Sequence, residues 1–137
     1  MTCFSITIQK IVEIHEEILR ISSAEEDKGM NGIRDEGTLS YIVEKLERDT
    51  NINCDVIKSA AWVLYSITTT HPFFQANKRT AIVTAENILR HDGFWFDVDY
   101  EEGERFIIDV ARDEYTLDRV ETWIRGHIVK RSTISAI

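Results

Sequence analysis

Cysteine is scarce in this chain. Cys3 and Cys54 are the only two in 137 residues, with no CxxC spacing and no companion histidine cluster. Two isolated thiols fit a reducing cytoplasm better than a disulfide framework or a zinc site, so separate thiols are the expectation. No stretch approaches the roughly 18 uninterrupted apolar residues of a membrane span. The start, Met1-Thr2-Cys3-Phe4-Ser5, has no basic segment followed by an apolar one, so a signal peptide is not expected. Basic residues form no stripe, and the net charge of −8 argues against a surface made to grip nucleic acid. Repeats, low-complexity tracts and linkers are also missing. What remains is one domain over residues 1–137, whose 43% apolar content is ample for a core.

The apolar residues recur at helical spacing. Ile8, Ile11, Val12, Ile18 and Leu19, with His15 at the edge, give an amphipathic helix from Thr7 to about Ser22. Residues 23–37 break the pattern with charge and three glycines, and read as an irregular loop, flap or hairpin. Leu39, Ile42, Val43 and Leu46 restore the period to about Arg48, and Asn51 and Asn53 mark a turn. Val56 to Ile67 is apolar nearly all round, as a buried central helix should be. Pro72, the only proline, ends that run. A helix from Asn77 to Leu89 stops at Gly93, and Phe94-Trp95-Phe96 reads as extended. Asp97 or Asp99 is placed to cap a helix carrying Phe106, Ile107 and Val110. A last helix from Thr116 aligns Leu117, Val120, Trp123, Ile124 and His127 or Ile128, and residues 132–137 are expected to fray. The fold class is all-α, a compact bundle of about six helices.

Reactive groups concentrate in His71-Pro72-Phe73-Phe74-Gln75-Ala76-Asn77-Lys78-Arg79-Thr80. A phosphoryl- or nucleotidyl-transfer site must take a proton from a hydroxyl and neutralise phosphate charge. Histidine is the side chain suited to the first task near neutral pH. The second suits a helix N-terminus with amides from Ala76 to Arg79, the Asn77 amide, the Lys78 point charge and the planar Arg79 fork. Cations at a helix N-terminus oppose the helix dipole, so an anion is expected beside them. Phe73 would pin the loop into the core. The plain alternative is ordinary surface loop chemistry.

His-Pro-Phe-x-x-x-Asn-Lys-Arg resembles the signature of the Fic/Doc superfamily. That signature reads H-P-F-x-[D/E]-G-N-[G/K]-R in Fic proteins and H-x-F-x-[D/N]-A-N-K-R in Doc (death-on-curing) toxins. Gly32-Ile33-Arg34-Asp35 is similar to the G-[I/L]-R-D turn of Doc relatives, and Leu89-Arg90 with Gly93 to the helix end and turn that follow the motif. Ala76, Lys78 and Ile82 stand where AMP-transferring Fic enzymes favour glycine, glycine and arginine, which favours the Doc branch. The resemblance implies a Fic/Doc-like bundle that moves the terminal phosphoryl group of ATP to a Ser/Thr hydroxyl of a protein such as elongation factor Tu, halting translation. His71 would be the base, and Ala76, Asn77, Lys78 and Arg79 would hold phosphates. It also implies Mg2+ and an antitoxin that inserts a helix at the groove. Two alternatives stand beside it: AMP transfer on the same fold, and an impaired binding module.

The last arises at Gln75, where the family carries a metal-binding acid. A hard cation prefers carboxylate oxygen, and glutamine offers a neutral carbonyl, so metal affinity should fall. Asp97 or Asp99 are the candidates to compensate. Arg34 and Asp35 are candidates for contact with the target or flap, although a turn closure and helix cap is the commoner use of such a pair. In Fic-like folds the flap lies where residues 23–37 fall, and an extended target segment adds to its edge. His15, His91 and His127 read as structural or solvated, and Trp62, Trp95 and Trp123 as packing. Ala85-Glu86-Asn87 resembles part of the Fic inhibitory motif, but Ala81 stands in the Ser/Thr place, so no built-in inhibitor is expected.

Overall fold

The computed structural model describes residues 4–22 and 32–131. Among them are six helices and two short strands: α1 (Ile8–Ser22), α2 (Glu36–Asn53), α3 (Val56–Thr70), α4 (Asn77–Arg90), β1 (Phe94–Phe96), α5 (Tyr100–Ala111), α6 (Leu117–Gly126) and β2 (Ile128–Lys130). The mostly helical bundle expected from the apolar spacing is what forms.

Helix α3 is its centre. Asp55 caps it, accepting from the amides of Ile57 (2.9 Å) and Lys58 (3.2 Å). Ala60, Ala61, Val63, Leu64 and Ile67 are almost wholly buried, and the small alanines let neighbouring helices approach. α4 is its most extensive neighbour, followed by α6 and α2. Arg125 in α6 donates to the Asp55 carboxylate at 2.8 Å, tying the end of α6 to the start of α3. Asp99 caps α5 through the Glu102 amide (2.8 Å), and Thr116 caps α6 through the Arg119 amide (3.2 Å). Of the two proposed capping aspartates, Asp99 holds the position.

Three local expectations change. Helix α2 does not stop near Arg48: its backbone runs to Asn53, and Cys54 ends it in a left-handed turn at φ 51°. Asparagines read as turn residues lie within the last helical turn, because a left-handed stop needs only one residue. Residues from Ile128 leave α6 and pair antiparallel with β1, Phe94 opposite Lys130 and Phe96 opposite Ile128. Gly93 makes that ribbon possible: at φ +81°, a Cβ there would lie 2.9 Å from the Arg131 carbonyl oxygen. Finally, Cys54 is disulfide-bonded, so the expected pair of separate thiols does not hold. The described residues include no free cysteine, and the bond's other half lies outside them.

The irregular segment at 23–37 falls outside the described residues over 23–31, as does the tail at 132–137. Residues 32–35 are described and run onto the loop between α3 and α4, while Glu36 and Gly37 already belong to α2. Among the described residues, no helix is long and apolar enough to cross a membrane.

Candidate functional site

Two left-handed residues bracket the loop between α3 and α4. His71 ends α3 at φ 54°, ψ 62°, and Ala76 precedes α4 at φ 61°, ψ 26°. Neither is glycine, so each costs on the order of 1–2 kcal/mol that surrounding contacts must offset.

Residues 32–35 supply the first contact. Arg34 donates from Nε to the His71 carbonyl (2.7 Å) and from Nη2 to the Thr70 carbonyl (2.8 Å). These are terminal carbonyls of α3, which lack partners within the helix. The amides of Arg34 and Asp35 donate to the Pro72 carbonyl, Phe74 donates to Gly32, and Ile33 and Phe73 form an antiparallel bridge. Asp35 then caps α2 by accepting from the Thr38 amide at 3.0 Å. Bonds from the amide and side chain of Thr38 hold its carboxyl below the usual range. Both members of the Arg-Asp pair are thus engaged in chain closure, with Arg34 serving the helix behind it.

Asn77 supplies the second contact. Its Oδ1 accepts from the Phe73 amide (3.0 Å) and its Nδ2 donates to the Phe73 carbonyl (2.9 Å), all of it buried. The Asn77 side chain is therefore turned to the loop backbone. The third comes from α1, where buried His15 lies with Nε2 3.0 Å from the Gln75 carbonyl and its ring stacked on fully buried Phe73.

Ala76 offers no side-chain cap to α4. The first-turn amides of Asn77, Lys78 and Arg79 therefore begin a helix whose dipole favours an anion. Gln75 through Arg79 line one end of a cavity of about 810 Å³. Its apolar lining is drawn from several elements, with Ile18, Leu64, Ile82, Phe96, Phe106, Ile107 and Trp123, and Asp99, Tyr100 and Glu104 add polar groups. Trp123 has both faces covered, by Phe106 at 3.7 Å and His127 at 3.9 Å between ring centroids, so it offers the cavity an edge. A hydrogen bond to Glu104 raises the Tyr100 phenol above its usual pKa, and the Arg79 charge opposes that rise. Glu86 lines the wall with one oxygen on Arg90 (3.1 Å) and the other on the Phe96 amide (3.3 Å).

His71 is exposed and is not among the residues that line the cavity. The structure brings residues 75–79 together around one space, and His71 stands at the other end of the bracketed loop. Of the other lining residues, Asp99 is one of the two aspartates named as candidates to compensate for Gln75, whereas Phe96, Tyr100, Glu104 and Trp123 are not legible as site residues. Their spacing reports helix caps and packing, and only the fold carries them to the phosphate-friendly turn. His15 was hidden in the same way, as an edge position of an amphipathic helix.

A model of the Fic/DOC family matches residues 5–89, from just before α1 to within α4. No curated protein matches the chain.

Proposed function

This chain belongs to the Fic/DOC family, and we propose that it acts within it as a Doc-like phosphotransferase. The γ-phosphoryl group of ATP passes to a Ser or Thr hydroxyl of a protein, elongation factor Tu being the first candidate. The observation that carries the reading is the start of α4, where left-handed Ala76 opens a helix with Lys78 and Arg79 in its first turn, at one end of a cavity of about 810 Å³. Triphosphate charge suits the start of α4, and a nucleobase suits the apolar side chains that line the same cavity.

The chemistry assigned to this chain's residues is simple. His71, on the solvent side of the loop, accepts the hydroxyl proton as the oxygen forms its bond to the γ-phosphorus and the bond to the β-phosphate oxygen breaks. ADP leaves with the electron pair of that bond. Lys78, Arg79 and the first-turn amides hold the phosphates. The biological setting that fits is a toxin restrained by an antitoxin helix at the groove.

With no carboxylate at position 75, a magnesium ion carried by ATP would rest chiefly on the nucleotide phosphates. No group of three or more His, Cys, Asp or Glu among the described residues converges as a metal site, and Gln75 brings no carboxylate. Asp99 and Glu104 line the cavity, with one Asp99 oxygen serving as the cap of α5. No step is assigned to a metal. The same observation favours a second reading, an impaired enzyme that retains partner binding.

The mass of elongation factor Tu after incubation with the chain and ATP tests the proposal. Gain of one phosphate, lost in His71→Ala, is the expected result. Gain of AMP supports nucleotidyl transfer instead. An unchanged mass with wild type and His71→Ala alike overturns both in favour of a binding module.

A further inference from the structure

We propose that His15 is a positioning residue for the phosphate-binding turn, holding the Gln75–Ala76 backbone in place as a neutral imidazole protonated on Nε2. The role rests on the functional reading above, because it concerns the same turn. The geometry that points to it is local and specific. His15 is 2% exposed, yet it is the one histidine of α1, on a face otherwise given to isoleucine. Its ring lies 3.9 Å from that of Phe73 at an interplanar angle of 11°, and its Nε2 is 3.0 Å from the carbonyl oxygen of Gln75.

A carbonyl oxygen only accepts, so Nε2 must carry the hydrogen. Burial lowers the ring's pKa, against the opposing pull of the Gln75 carbonyl and nearby Glu16, which agrees with a neutral ring. The acceptor belongs to the residue just before left-handed Ala76. Fixing that carbonyl orients the peptide plane between Gln75 and Ala76, and with it the approach to the first-turn amides of α4. Stacking on Phe73 holds the same loop three residues earlier. A phenylalanine would pack equally well on Phe73, which makes the ring nitrogen the informative atom.

Three measurements on the full chain decide the matter. Nitrogen-detected NMR of the wild type should show His15 neutral with the proton on Nε2; a proton on Nδ1 alone overturns the proposal. His15→Phe keeps the stack and loses the donor. It should weaken ATP binding about tenfold, read by calorimetry, as expected when a part-buried carbonyl loses this donor. His15→Gln, whose amide nitrogen can reach a similar point, should recover affinity to within about threefold of wild type. Wild-type affinity in His15→Phe overturns the proposal. If His15→Phe does not fold, His15→Gln decides alone, and a tenfold loss there counts against the role. Failure of the wild type to bind ATP at all would instead refute the nucleotide reading, while the tautomer measurement still reports on the His15–Gln75 bond.

Discussion

Asn77 and Phe73 exchange two hydrogen bonds, side-chain oxygen to amide at 3.0 Å and side-chain nitrogen to carbonyl at 2.9 Å, in a buried setting. The asparagine that sequence alone assigns to phosphate thereby works as the staple of its own loop. Asn77→Ala should cost about 2–4 kcal/mol, since it strands two buried backbone groups at once. Urea denaturation measures this, and a loss below about 0.5 kcal/mol would contradict the staple.

Arg34 spans two carbonyls at the end of α3. Lysine cannot reach both in one plane. Arg34→Lys and Arg34→Ala should therefore destabilise the chain alike, by about 1 kcal/mol. Full retention of stability in the lysine variant would show that charge alone matters there.

Lys78 and Arg79 oppose the dipole at the start of α4. Replacing either by alanine should raise the stability of the ligand-free chain by a few tenths of a kcal/mol while reducing the rise in melting temperature produced by ATP. Thermal melts with and without nucleotide separate the two effects. A destabilised ligand-free variant would mean that these cations have anionic partners within the protein.

Gln75→Asp restores a carboxylate beside the phosphate-binding turn. ATP affinity of this variant should become sensitive to Mg2+, read by calorimetry with and without chelator, and wild-type affinity should change less. Equal responses from the two chains would show that position 75 does not govern the metal.

Stability should fall with pH in two windows. His15 has a lowered pKa chiefly from burial, so the unfolded chain binds its proton more readily. Its contribution is complete above about pH 6.5 and declines as pH drops below that. Burial pushes the Asp55 carboxyl up, but Arg125 and the Lys58 and Ile57 amides outweigh it, and its pKa is lowered overall. That contribution is present above about pH 3.9 and is lost as pH falls through the folded value. Denaturation midpoints of His15→Phe should lack the upper window, and those of Asp55→Asn should show a smaller lower one, since Asp35 also contributes there.

Much of this was legible in the amino-acid order. Helical spacing located α1, α3, α4, α5 and α6, Asp99 and Thr116 marked helix starts, and the motif pointed to a turn that lines the cavity. What was hidden follows from physics that acts across the chain. The β2 strand is three residues long and read as helix because Ile128 keeps the helical spacing. Much of the cavity lining is added by β1, α5 and α6, whose residues show only caps and core spacing. The Asn77 side chain looked like a ligand donor because nothing local discloses that Phe73 folds back onto it. That left-handed residues bracket the loop, His71 at one end and Ala76 at the other, is likewise invisible in the sequence, because neither is glycine.

The groups that hold the turn, Arg34, His15 and Asn77, bond to its backbone, whereas the apolar lining of the cavity comes from other side chains, some on the same helices α1 and α4. Anchoring and ligand choice are therefore carried by different side chains. Substitutions at Phe96, Ile82 or Ile107 can reshape what the chain accepts without loosening the hinge on which acceptance depends, which leaves selectivity free to drift while the machinery stays intact.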